Sequence, residues 1–158
     1  MNEKANRSDD YFAYQVRRFQ SLMEEVVQCC ETRAAYLSKK FGLPGAELRA
    51  LMLFREDKYL TVKGIALKMD VAKSRVTKIV AGLLEKGLVS RIDDPADGRI
   101  KLISLTPAGR AACDEISAFI ATLHEMILRE LDPEERKQVL TALERLRTSM
   151  EAVKERMF

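Results

Sequence analysis

The stretch LTVKGIALKMDVAKSRVTKIVAGLLEKGLVSRIDDPADGRIKLISLTPAG, Leu60 to Gly109, decides the fold. Its first half holds two amphipathic segments. In VKGIALKM, Ile65, Ala66 and Met69 recur three and four residues apart, the spacing of a helix of about two turns. Asp70-Val71-Ala72 interrupts that pattern. KSRVTKIVAGLLEKG then resumes it, with Val76, Ile79, Val80, Leu83 and Leu84 on one face and Gly87 where a helix-terminating glycine belongs. Helix, short turn, helix is the spacing of a helix-turn-helix, whose second member fits the DNA major groove. Its outward residues at the start are Lys73, Ser74, Arg75, Thr77 and Lys78, with no acid among them. These side chains reach phosphates and base edges, and an arginine at Arg75 can pair bidentately with guanine.

The second half reads as a β-hairpin. Pro95 fixes its own φ and holds Asp94 extended, and Asp97-Gly98 supplies the positive φ of a tight reversal. The arms alternate as Val89, Ser90, Arg91, Ile92 and as Arg99, Ile100, Lys101, Leu102, which predicts one basic and one apolar face. A wing of this kind beside a recognition helix can carry Arg99 into the minor groove and set Arg91, Lys101 and Lys86 near phosphates.

Outward from this stretch the chain is helical. From Asp10 to Phe41, Phe12, Val16, Phe19, Met23, Val26 or Val27 and Cys30 form a stripe expected to face a core. Gly42 and Pro44 break that helix, and GAELRALMLFRE follows with Leu48, Leu51 and Met52 inward. KYLT reads as a short apolar link. Thr106-Pro107 caps a long helix carrying Ile116, Phe119, Ile120, Leu123, Met126 and Ile127. Asp132 and Glu135 form a capping box before a last helix. That helix bears Val139, Leu140, Leu143, Leu146, Met150, Val153 and Met157, a stripe so long that a second copy of the chain is its expected cover. The fold class is mainly α with a small β-hairpin wing. A winged helix-turn-helix lobe over residues 60–106 is flanked by support and dimerisation helices over 10–56 and 107–158, all in one domain spanning 1–158.

Bulk composition excludes more than it selects. Among 158 residues, 27 Lys and Arg face 24 Asp and Glu, so net charge alone announces no nucleic-acid partner and only its distribution does. The polar start MNEKANRSDD and the lack of a long apolar run predict a cytoplasmic protein without a membrane partner. Cys29, Cys30 and Cys113 lack CxxC spacing, so reduced thiols are expected, with Cys30 and Cys113 on apolar stripes and Arg33 one turn from Cys29. His124 is the only histidine and no HExxH, P-loop, GxSxG or GxGxxG occurs, which argues against an enzyme, a metal site or a bound cofactor.

Leu60 to Gly109 resembles the winged helix-turn-helix core of the multiple-antibiotic-resistance regulator (MarR) family, most specifically in EKGLV at Glu85–Val89, DDPADGR with Asp97 and Arg99, and LTPAG at Leu105–Gly109. Two positions depart from the family pattern. Asp70 stands where the turn usually has glycine, and Ala72 where a serine often caps the recognition helix. The resemblance implies a homodimeric transcriptional regulator on a pseudo-palindromic double-stranded operator, often a repressor released by a small aromatic or anionic effector or by thiol oxidation. It also implies an effector cleft, for which Tyr36, Arg49, Met52 and His124 are the candidates here. A winged-helix module that binds only protein is the competing assignment.

Overall fold

The computed structural model describes residues 2–93, 95, 97 and 100–157, with side chains from residue 9 onward. Its elements run α1 (Asn2–Phe41), α2 (Gly45–Met52), a 3-10 turn (Leu53–Arg55), β1 (Leu60–Thr61), α3 (Val62–Met69), α4 (Lys73–Glu85), β2 (Val89–Asp93), β3 (Lys101–Leu105), α5 (Pro107–Arg129) and α6 (Pro133–Met157). The chain divides into two compact units, residues 1–113 and 114–158. Among the described residues no helix is long and apolar enough to cross a membrane.

In the first unit the helix-turn-helix and the sheet share one core. Leu51 of α2, Ile65 of α3, Val76, Val80 and Leu83 of α4, and Ile103 of β3 are fully buried in it. α1 ends where Gly42 turns left-handed (φ +64°), while the Ser38 hydroxyl donates to the Leu43 carbonyl at 2.6 Å. Pro44 then leads into α2. KYLT is more than a link, because Leu60 and Thr61 pair antiparallel with Ile103 and Leu102, giving a three-stranded sheet in the order β1-β3-β2. A two-residue strand is too short to show any alternation in sequence.

The expected core stripe of α1 is overturned. Phe12 is 66% exposed, and Val16, Phe19, Val26, Val27 and Cys30 are exposed as well, whereas Leu37 near the helix end is buried. The cause is length. Forty residues of helix extend about 60 Å, far more than α2 can cover with its eight residues.

The hairpin register sets Val89 opposite Leu105, Ser90 opposite Ser104, Arg91 opposite Ile103, Ile92 opposite Leu102 and Asp93 opposite Lys101. Arg91 and Lys101 therefore share a face with buried Val89 and Ile103, and the expected division into one basic and one apolar face does not hold. The change from apolar to charged runs along the strands toward the tip. On the other face the Ser90 and Ser104 hydroxyls lie 3.2 Å apart beside Ile92 and Leu102. The second arm begins at Lys101, and the amide of Ile100 donates to the Asp97 carbonyl at 2.9 Å across the turn. Asp94, Gly98 and Arg99 lie outside the described residues.

In the second unit the sharp corner between α5 and α6 is built by side chains. Asp132 Oδ1 accepts from the amides of Glu134 and Glu135 at 2.8 and 2.9 Å, and Glu135 Oε2 accepts from the Asp132 amide at 2.8 Å, a closed capping box. Arg136 Nε donates to the Leu128 and Leu131 carbonyls at 2.6 and 2.9 Å, satisfying the end of α5. Val139, Leu140, Leu143, Met150, Val153 and Met157 all remain exposed along α6, as the stripe without an intrachain partner predicts.

Candidate nucleic-acid interface

The helix-turn-helix is set by three local devices. Thr61 caps α3, its hydroxyl accepting from the Gly64 amide at 3.0 Å. Asp70 then takes the left-handed conformation (φ 54°, ψ 53°), and the Val71 amide reaches back to the Ala66 carbonyl at 3.1 Å. Aspartate tolerates this region better than most side chains, so the turn forms without the usual glycine. Ala72 begins α4 with no side-chain cap hydrogen bond, so the position lacks the cap a serine would supply.

Four apolar anchors on α4, Val76, Ile79, Val80 and Leu83, are buried. They turn the remaining face outward, and Lys73, Ser74, Arg75, Thr77 and Lys78 are all exposed with no acid in the first turn. Thr77 differs from its neighbours in that its hydroxyl donates to the Lys73 carbonyl at 3.0 Å.

The wing is fastened to the lobe at its base. Thr106 Oγ1 donates to the Gly87 carbonyl at 2.6 Å and accepts from the Gly109 amide at 3.0 Å, while the Thr106 amide donates to the Leu88 carbonyl at 3.1 Å. Gly109 lies so near that a Cβ there would sit 1.8 Å from the Leu88 oxygen. EKGLV and LTPAG are thus two halves of one knot that closes the hairpin. Sequence distance hides this, because Gly87 and Thr106 are separated by the whole wing.

Two lysines expected near phosphates are engaged elsewhere. Lys86 Nζ meets Glu47 Oε2 of α2 at 2.9 Å, and Lys101 pairs across the hairpin with Asp93. Arg91 is exposed on β2. Asp97 is exposed at the turn, and Arg99 lies outside the described residues.

Tyr36 and Arg49 are exposed and Met52 half-buried in the first unit, Met52 Sδ lying 3.9 Å from Cys113 Sγ. His124 is exposed in the second unit, where it lines an open cavity of about 780 Å³ with Ala121, Glu125, Leu128, Arg129 and Arg136. Cys113 is buried as expected, but Cys29 and Cys30 are both exposed, and the Arg33 guanidinium approaches Cys30 Sγ at 3.9 Å. Residues three apart on a helix share a face as closely as residues four apart, so Arg33 reaches Cys30 as well as lying one turn from Cys29. Among the described residues no cluster of His, Cys, Asp or Glu is arranged to hold a metal ion.

A sequence profile of the MarR family matches residues 41–100, the span from the end of α1 to the wing. The Bacillus subtilis HTH-type transcriptional regulator YdgJ is 27% identical over 109 residues, covering 69% of this chain and 66% of that protein. The B. subtilis HTH-type transcriptional repressor MdtR is 29% identical over 120 residues, 76% of this chain and 72% of that one. The matched stretches span between about half and two-thirds of the first curated relatives. Among solved structures, a point mutant of S. aureus MepR superposes with a TM-score of 0.76 at 20% identity, covering 84% of this chain and 98% of that one. A different MepR point mutant, solved bound to an oligodeoxyribonucleotide, superposes with a TM-score of 0.61 at 19% identity, over 84% and 97% of the two chains.

Proposed function

We propose, from its likeness to the MarR family over residues 41–100, that this chain is a homodimeric, sequence-specific DNA-binding transcriptional regulator of that family, a repressor that a small effector releases from a pseudo-palindromic operator. The observation that carries the DNA assignment is the acid-free, outward face at the start of α4, held by four buried anchors beside a fastened wing. On a major-groove edge Arg75 pairs with guanine O6 and N7, and the Thr77 methyl meets a thymine methyl. Lys73, Ser74 and Lys78 take phosphates, as does Arg91 on the wing. Lys101 contributes less, because it must exchange Asp93 for a phosphate. Arg99 enters the minor groove, with Asp97 holding its guanidinium fork.

Dimerisation is supported by the two long exposed stripes on α1 and α6, which exceed what a lone chain leaves to water. A second copy covers them, and its two-fold axis matches the operator. Tyr36, Arg49 and Met52 in the first unit and His124 in the second remain, each by itself, candidate effector contacts. The exposed pair Cys29 and Cys30 supports thiol oxidation as a second route of release.

The test is to select duplexes from a random pool and measure their affinity by fluorescence anisotropy. An inverted repeat with half-sites about one helical turn apart is expected. Equal affinity for every duplex would remove the sequence-specific role, and no retention at all would leave the protein-binding module. Light scattering should show a dimer that is lost when the chain ends at Asp132, and a folded dimer of that shortened chain would overturn the interface.

A further inference from the structure

The far end of α4 carries a contact that none of the DNA-facing residues explains. α2 meets α4 there through Glu47, whose Oε2 is shut off from solvent and faces Lys86 Nζ at 2.9 Å. The contact is an ion pair without hydrogen-bond alignment, and the Glu47 side chain is only 12% exposed. The other carboxylate oxygen lies over Gly82. A Cβ at Gly82 would stand 2.2 Å from Glu47 Oε1 and 2.9 Å from its Cδ, so the carboxylate occupies room that only a glycine leaves. A nearly buried carboxylate is a poor source of stability, since its desolvation offsets its attraction to the cation. It is a strict determinant of geometry, because it tolerates only one placement of the helix that carries Gly82 and is followed at once by Lys86.

We propose that Glu47 is a positioning residue for DNA recognition: clamped between Gly82 and Lys86, it fixes the rotation of α4 and thereby aims Arg75, about two turns upstream. This rests on the DNA-binding assignment above. A side-chain tip lies about 6 Å from a helix axis, so a rotation of roughly 20° displaces it by about 2 Å. That exceeds what a bidentate hydrogen-bond pair tolerates. The clamp also keeps Lys86 paired, which withholds one sequence-blind charge from the phosphates.

Two variants test this without endangering the fold. Gly82→Ala drives out the carboxylate, and the displaced atoms are the flexible end of a side chain rather than backbone. Alanine is also the better helix former. Glu47→Gln keeps the shape and removes the charge. For wild type, both single variants and the double, the ratio of affinities for the selected duplex and a random duplex is read by anisotropy at one salt concentration, and melting by circular dichroism. Each single variant should lower the ratio about tenfold, the scale of one misaimed base contact. Gly82→Ala should melt at or above wild type, and the double should lose no more than either single variant, because both release the same clamp. A purely structural contact would move melting and leave the ratio alone. A wild-type ratio in Gly82→Ala, or losses that multiply in the double, overturns the clamp. Should Gly82→Ala melt lower, the ratio of Glu47→Gln decides. A wild-type protein that discriminates no duplex overturns the DNA assignment and the clamp together, whereas discrimination unchanged in the variants overturns the clamp alone.

Discussion

Replacing Gly109 by alanine should destabilise the protein although it introduces a better helix former near the start of α5. The added Cβ would lie 1.8 Å from the Leu88 carbonyl oxygen, 2.8 Å from its carbon and 3.2 Å from the Leu88 Cα. These are backbone atoms, so no rotamer relieves the clash, and either the base of the wing or the first turn of α5 must withdraw by about 1.2 Å to restore a 3.0 Å separation. Overpacking of this kind costs about 1 to 3 kcal/mol. The same withdrawal loosens the Thr106 amide bond to Leu88 and the Thr106 hydroxyl bond to Gly87. Each contributes roughly 1 kcal/mol. Alanine returns at most about 1 kcal/mol of helix propensity. The balance is a loss of about 3 kcal/mol, which for a chain of this size lowers the melting temperature by roughly 6 to 12 °C. Gly45→Ala is the control, since a Cβ there meets nothing within 4 Å. It should melt at or slightly above the wild type, because alanine adds helix propensity there without a clash. Thermal melts followed by circular dichroism decide the matter, and a Gly109→Ala protein melting with the wild type would show that the knot between Gly87, Leu88, Thr106 and Gly109 does not hold the wing.

Arg75→Ala should reduce discrimination between selected and random duplexes by about 1 to 3 kcal/mol, whereas Lys78→Ala should weaken both nearly alike, as competition anisotropy will show. Asp70→Gly should stabilise the fold by roughly 0.5 to 1 kcal/mol in denaturant melts, since glycine occupies φ 54° without the strain a side chain meets there; an unchanged midpoint would mean that the aspartate fits the turn without cost. Arg99→Ala should cost affinity most where an A·T tract flanks the half-site. Asp97→Ala should weaken binding too, although it removes an acid near phosphate, and tighter binding by that variant would reduce the turn to an ordinary charged loop.

Whatever depends on neighbours a few residues apart was legible in the sequence alone. The apolar spacing of α3 and α4, the left-handed Asp70 and Gly87, the Thr106 cap and the Asp132–Glu135 box all appear where the residues foretold them, because helix periodicity and capping act over three or four positions. The acid-free face of α4 follows from the same spacing once its buried side is known. Contacts between distant residues were decided only by the tertiary structure. Leu60 and Thr61 became a strand because Ile103 and Leu102 arrive beside them. Lys86 and Lys101 turned from phosphate candidates into ion-pair partners because Glu47 and Asp93 fold against them. The α1 stripe has the periodicity of a core face, yet most of it stays exposed, because periodicity reports which side of a helix is apolar and says nothing of whether anything is there to cover it.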